Sequence, residues 1–168
     1  RVMSAHELSP AALAEVVDVA QTVLGTVGFG AERAGGSLGD AVEDLFVVER
    51  HYSENALFEG FGVVSMGELV GQPAVKFLIR NTDYSAPKLY ELIAPHIDPE
   101  LAHLTYSMQE GILEVAAPNV TKRRGVEWLA EHTGVAQQET IAFGDMPNDI
   151  EMLRWAGCGV AMENAHPE

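Results

Sequence analysis

"TIAFGDMPNDIEMLRWAGCGVAM" runs from Thr140 to Met162, and its punctuation decides how the chain is read. "TIAF" is a short apolar run of the kind found where a strand is buried on both faces of a parallel sheet. Gly144, Asp145, Pro147, Asn148 and Asp149 follow at once, and then Ile150, Leu153 and Ala156 fall on one side of a helix that Gly157 ends. "CGVAM" reads as a second short buried strand. Just upstream, "TKRRGVEWLAEHTG" is a helix with Thr121 as N-cap, a stripe of Val126, Leu129 and Ala130, and Gly134 as its stop. Helix, strand, helix, strand at this spacing predicts doubly wound α/β structure.

Before Asn119 the pattern is different. Ser9 and Pro10 open a helix over "AALAEVVDVAQTVLGTV", with Leu13, Val16, Val17, Ala20 and Leu24 on one side. "GFGAERA" and "EDLFVVERHY" predict two strands around the turn residues "GGSLGD". "GFGVVSM" and "AVKFLIRN" predict two more, with "GELVG" between them. "SAPKLYELIAPHI" predicts a second helix, stopped near Pro95 and Pro99. "HLTYSM" and "ILEVAAP" bracket Gly111 as a hairpin. This part is strand-rich with interspersed helices, a lobe of another type.

The chain has 168 residues, 47% hydrophobic and 21% charged, which is enough apolar material for a core and too little charge bias for disorder. That length suits one domain or two small lobes. Residue 1 is Arg and the last residues, "AMENAHPE", close on no obvious element, so the chain reads as a fragment. No apolar stretch reaches the ~20 residues of a membrane span, and no secretory signal is visible. Cys158 is the single cysteine, which excludes an internal disulfide framework and is compatible with a cytoplasmic location. The net charge of −15 argues against nucleic acid as a partner. An acidic protein that handles an anionic substrate needs a cation between the two.

The loop after "TIAF" has the groups for that. Ligands of open parallel sheets bind beyond the carboxyl ends of the strands, where Asp145 is expected. A carboxylate there is suited to a hard cation such as Mg²⁺. Gly144 lets the backbone turn, and Pro147 starts a helix whose free N–H groups favour an anion. Asn148 offers an amide donor to a phosphoryl oxygen, and Asp149 a second carboxylate to orient metal-bound water or an ammonium. The same residue types also build any tight strand-to-helix turn, with Asp or Asn as N-cap.

Lys122 in "NVTKRRGVEWL", the full Gly-Asp-x-x-Asn-Asp string of Gly144, Asp145, Asn148 and Asp149, and "GVAMENA" from Gly159 to Ala165 come in that order. With these three motifs the sequence resembles the haloacid dehalogenase superfamily of phosphohydrolases, in its Cof-like branch. The resemblance is sharp over 119–168 and looser before. It implies an α/β fold: residues 119–168 as the C-terminal part of a Rossmann-like core, and residues 1–118 as an α+β cap lobe with a mainly antiparallel sheet and its lead-in segment. It also implies a Mg²⁺-dependent phosphatase acting on a small, sugar-phosphate-like metabolite through an aspartyl-phosphate. Lys122, Asp145 and Asp149 would be catalytic, Lys122 and Asn148 would bind phosphate, and Asp145 and Asp149 would serve the metal.

The family's Asp-x-Asp-Gly-Thr string, with its nucleophile, is absent; Gly39-Asp40 lies in a turn without a leading apolar strand. The nucleophile is therefore expected in an N-terminal core segment outside the chain, and the chain alone is expected to be inactive. Two other readings stay open: a phosphotransferase or phosphomutase of the same fold, and a non-catalytic cation- or phosphate-binding fragment. "ERHYSEN", from Glu49 to Asn55, is either a cap loop that reads the leaving group or an ordinary exposed loop. Lys76 and Arg80 share one strand face. Arg123 and Arg124 read as a solvated helix start, Trp128 and Trp155 as packing residues, and the six histidines show no metal spacing.

Overall fold

The computed structural model describes residues 4–37 and 39–168; residues 1–3 and Leu38, which fall in the expected first lobe and in "GGSLGD", lie outside the described residues. Helix α1 (Pro10–Leu24) starts where Ser9 Oγ accepts the Ala12 N–H at 3.2 Å, with Pro10 in the first turn. Its buried residues, Ala12, Leu13, Val16, Val17 and Ala20, form one stripe at helical spacing.

The stripe lies on a six-stranded sheet. Its strands are β1 (Gly28–Glu32), β2 (Phe46–Val48), β3 (Gly62–Val63), β4 (Lys76–Arg80), β5 (His103–Thr105) and β6 (Ile112–Ala116), in the order β3-β2-β1-β4-β6-β5. All neighbours are antiparallel except β2 and β3. Alternation sends Phe29, Phe77, Ile79, Leu113 and Val115 into the core under α1 and α5 (Ala86–Ile93), which contributes Leu89 and Ile93. On the other face Val48, Leu78 and Ile112 pack with Tyr52 of α3 (Arg50–Glu54). α3 can lie that close because Gly28 has no Cβ, which would meet the Tyr52 Cα at 2.7 Å. Short helices α2 (Val42–Leu45) and α4 (Met66–Val70) complete this part.

Residues 119–168 begin at Asn119, whose φ of 62° lies in the left-handed region that Asn tolerates better than most residues. Helix α6 (Lys122–Thr133) has Thr121 Oγ1 accepting from Arg124 N at 3.3 Å and ends at Gly134 with φ 73°. Strands β7 (Ile141–Gly144) and β8 (Cys158–Ala161) pair in parallel across α7 (Ile150–Trp155), the crossover that parallel neighbours require. α7 covers both strands, and α6 packs against α7.

Three expectations are corrected. "TIAF" and "CGVAM" are strands but are not buried on both faces: Ile141 is 66% and Phe143 60% exposed, because β7 and β8 pair only with each other and no described element covers their second face. Leu129, expected in an apolar stripe, is 54% exposed. "ERHYSEN" is neither a strand end nor an open loop. Glu49 caps α3, and its buried carboxylate accepts the N–H groups of Phe29, His51 and Tyr52 at 3.0, 2.6 and 2.7 Å. A carboxylate satisfied by three backbone donors fixes α3 to the sheet, which is a structural use of the residue.

Candidate functional site

Where β7 ends, Gly144 passes into a tight turn at Asp145 and Met146, and Pro147–Asp149 form one turn of 3-10 helix leading into α7. The turn is tied from inside. One Asp149 carboxylate oxygen, Oδ2, accepts the N–H groups of Asp145 and Met146 at 3.1 and 3.2 Å. The other, Oδ1, faces Lys122 Nζ at 2.6 Å, and the same ammonium donates to Asn148 Oδ1 at 3.4 Å. Thr121, by capping α6, sets the direction in which Lys122 leaves the first turn. Gly144 is needed because a Cβ there would collide with the Asp149 side chain.

The Asp149 side chain is 6% exposed and that of Lys122 48%, so the pair is half sheltered. Burial acting alone would raise the Asp149 carboxyl. The Lys122 hydrogen bond, the Met146 and Asp145 N–H groups and the Lys122 charge outweigh burial and hold it below the ordinary carboxylate value. Both oxygens of Asp149 are therefore engaged by the protein.

Asp145 is placed differently. Its main chain is held by the His166 N–H at 2.8 Å, and next to it the Gly144 carbonyl accepts from Met162 N at 3.0 Å. Its side chain meets one protein group, the Asn164 amide, which donates to Oδ2 at 3.3 Å. The other oxygen has no protein partner among the described residues, which suits a hard cation. No group of three or more His, Cys, Asp and Glu side chains able to hold a metal ion occurs among the described residues, so the chain brings one open carboxylate rather than a full ligand set.

The structure thus brings Lys122, Asn148 and Asp149 into direct contact, with Asp145 beside them at the strand end. It keeps other flagged residues away. Lys76 forms ion pairs with Glu114 at 3.3 Å and Glu32 at 3.9 Å on the sheet. Arg80 is buried and donates to the carbonyls of Asn55, Asn81 and Gly111. Arg123 and Arg124 bridge to Glu127 on their own helix. Trp128 is half-buried and stacks on His132 at 3.7 Å, and Trp155 is half-buried. Asp40 closes its own turn by accepting from Gly36 N, Ser37 N and Ser37 Oγ. Asn164, within "GVAMENA", has no role assigned from the sequence and is the side chain that meets Asp145.

Between the six-stranded sheet and this loop lies a cleft of about 380 Å³, bordered by Tyr90 of α5, by His103, Thr105 and Tyr106 at β5, and by Thr121 and Asn148. No helix is long and apolar enough to cross a membrane among the described residues.

The profile of the haloacid dehalogenase-like hydrolases matches residues 2–168. The 5-amino-6-(5-phospho-D-ribitylamino)uracil phosphatase YitU of Bacillus subtilis is 28% identical over 134 residues, covering 76% of this chain and 48% of its own length. Among solved structures, SMU.1108c of Streptococcus mutans superposes with a TM-score of 0.76 at 17% identity over 99% of this chain and 60% of its own. The sugar phosphatase BT4131, of HAD subclass IIB, gives 0.65 at 20% identity over 97% and 58%. The chain spans about half the length of its first curated relative and under two thirds of these solved chains.

Proposed function

The chain belongs to the haloacid dehalogenase-like hydrolases, and from that premise we propose that it is the cap and second core segment of a Mg²⁺-dependent phosphatase acting on a small phosphorylated metabolite, sugar-phosphate-like at the ester. The observation that carries this reading is the Lys122–Asp149 contact of 2.6 Å at the carboxyl end of β7, with Asn148 in reach of the same ammonium. Asn148, next to Asp149 in the turn, joins the pair at its edge. Here its oxygen turns to Lys122 and its Nδ2 is left without a protein partner among the described residues, ready for a phosphoryl oxygen.

In the proposed reaction a carboxylate oxygen of an aspartate outside these 168 residues attacks phosphorus in line. The P–O ester bond breaks, the leaving oxygen takes a proton, and water hydrolyses the aspartyl-phosphate to free phosphate and the restored carboxylate. Lys122 neutralises charge spread over the transferring phosphoryl oxygens. Asp149 keeps Lys122 pointed by holding its ammonium, and the backbone N–H groups keep Asp149 in place. Asp145 would hold Mg²⁺, completed by ligands from outside the described residues, with Asp149 near it. When bound, the ion supplies the positive charge that the composition withholds.

The test is Mg²⁺-dependent phosphate release by the 168-residue chain and by a version extended upstream. Turnover is expected only from the extended protein and is abolished by Asp145→Ala, while Lys122→Ala lowers kcat by about 10²- to 10³-fold. Robust turnover by the short chain would place the nucleophile elsewhere and overturn the reading.

A further inference from the structure

The turn that follows β8 is folded back onto Asp145. β8 runs in parallel register with β7, Gly144 opposite Ala161. The ladder continues one residue further, where Met162 N donates to the Gly144 carbonyl at 3.0 Å. The chain then reverses, with Ala165 N donating to the Met162 carbonyl at 2.9 Å, and returns at His166, whose N–H donates to the Asp145 carbonyl at 2.8 Å. Glu163 and Asn164 are the central residues of this reversal, and the Asn164 amide reaches Asp145 Oδ2 at 3.3 Å.

Asp145 is thereby held at its N–H, its carbonyl and one carboxylate oxygen. Asp149 Oδ2 accepts the N–H at 3.1 Å, His166 takes the carbonyl and Asn164 takes Oδ2. Oδ1 alone is left without a protein partner among the described residues. The terminal torsion of an aspartate is broad and roughly two-fold, so a carboxylate at a strand end does not by itself settle which oxygen it presents. A donor fixed opposite Oδ2 settles it.

The backbone of the turn does not require asparagine at this position. The φ of Asn164 lies outside the left-handed region, where Asn119 is the one non-glycine residue among the described residues. Asn164 is also exposed, so its side chain fills no core. What asparagine adds over an apolar residue is a donor aimed at Asp145.

We propose that Asn164 is a positioning residue: its amide holds the Asp145 carboxylate in one orientation and leaves Oδ1 as the oxygen presented to a divalent cation. An oriented carboxylate has less freedom to lose when it takes up an ion, so the effect falls on metal affinity. The inference deepens the phosphatase reading and rests on it for the assignment of Asp145 to Mg²⁺.

The test uses the upstream-extended protein, with Mn²⁺ as probe because it accepts the same oxygen ligands and its free form is read by electron paramagnetic resonance. Asn164→Ala is expected to weaken Mn²⁺ binding about tenfold, the low end for losing such a partner because this bond is exposed. Asn164→Leu, close to asparagine in shape and without a donor, is expected to match it, and Asp145→Ala to abolish binding. In phosphate release from p-nitrophenyl phosphate, the Mg²⁺ concentration for half-maximal rate is expected to rise by the same factor in both Asn164 variants. The KM for the ester at saturating Mg²⁺ stays within about twofold of the parent, and the urea midpoint does not move. Parent-like Mn²⁺ affinity in Asn164→Ala or Asn164→Leu, a loss of affinity that comes with a lowered urea midpoint, or a parent that binds no Mn²⁺ up to about 10 mM would overturn the proposal. The Mn²⁺ titration contains no phosphate ester. A parent that binds Mn²⁺ through Asp145 and loses affinity on Asn164→Ala, yet releases no phosphate, sinks the phosphatase reading and leaves the positioning role standing.

Discussion

Replacing Asp149 by Asn keeps its shape and removes one acceptor, which isolates what its carboxylate does. In the parent, Oδ1 faces Lys122 Nζ at 2.6 Å and Oδ2 accepts from Asp145 N and Met146 N at 3.1 and 3.2 Å. All the opposing groups are donors. An Asn side chain has to turn its NH₂ either to the ammonium or to the two backbone N–H groups, so at least one donor meets a donor at a position that is 4% exposed. Hydrogen bonds to a charged group contribute about 1.5–3 kcal/mol, and the unsatisfied group costs about as much, so Asp149→Asn is expected to destabilise residues 119–168 by about 2–3 kcal/mol. Lys122→Met leaves the two backbone donors in place and removes an ammonium whose side chain is 48% exposed. Solvent screening brings that loss down to about 1 kcal/mol. In the double-mutant cycle the two residues should couple by about 1 kcal/mol. Urea unfolding followed by tryptophan fluorescence reads this directly, because both tryptophans, Trp128 and Trp155, lie in this part of the chain. An Asp149→Asn protein within about 0.5 kcal/mol of the parent, or a coupling below about 0.3 kcal/mol, would refute the idea that Asp149 organises the loop and aims Lys122.

The same contact sets a pH dependence. Asp149 is held below the ordinary carboxylate value, so the unfolded chain takes up the proton first as pH falls. Its contribution to stability is present above about pH 4 and is lost as pH drops from there through the lower folded value; Asp149→Asn should flatten that acid limb in urea midpoints measured between about pH 2 and pH 5. Gly144→Ala places a methyl group on the Asp149 side chain, and the two cannot both stay. A loss of about 1–3 kcal/mol in the tryptophan-detected transition is expected, with no loss for Gly125→Ala, where the added carbon meets open space. Ile141→Thr, at 66% exposure, should change the stability of this chain by less than about 0.5 kcal/mol and cost the upstream-extended protein more than about 1 kcal/mol if the added segment covers β7; equal small effects in both would show that the strand face stays open.

How much the sequence revealed depended on how local the cause was. Ser9-Pro10, Thr121 and Gly134 act within one helical turn, and the helices they delimit occur where the sequence places them. The strands of the large sheet follow from alternation, and their antiparallel pairing accords with the expectation drawn from the resemblance. The sequence does not disclose the helix in "ERHYSEN" because the deciding group is distant: Glu49 reaches the N–H of Phe29 on another strand, and a contact across twenty residues leaves no periodic trace.

The loop at Gly144 behaves in the opposite way. Asp149, Asp145 and Met146 close a ring of contacts within five residues, so the string Gly-Asp-x-x-Asn-Asp largely specifies its own geometry, and Lys122, Met162, Asn164 and His166 add the long-range contacts. That explains how an ordered turn can stand at the end of strands whose apolar faces lie open. The hydrophobic pattern of "TIAF" describes what would cover the strand, and the described residues supply a cover on one side alone, through α7. Burial is a property of the whole assembly of elements, whereas the turn is a property of its own six residues. Apolar runs therefore state what a strand requires, and only the structure says whether the requirement is met within the chain.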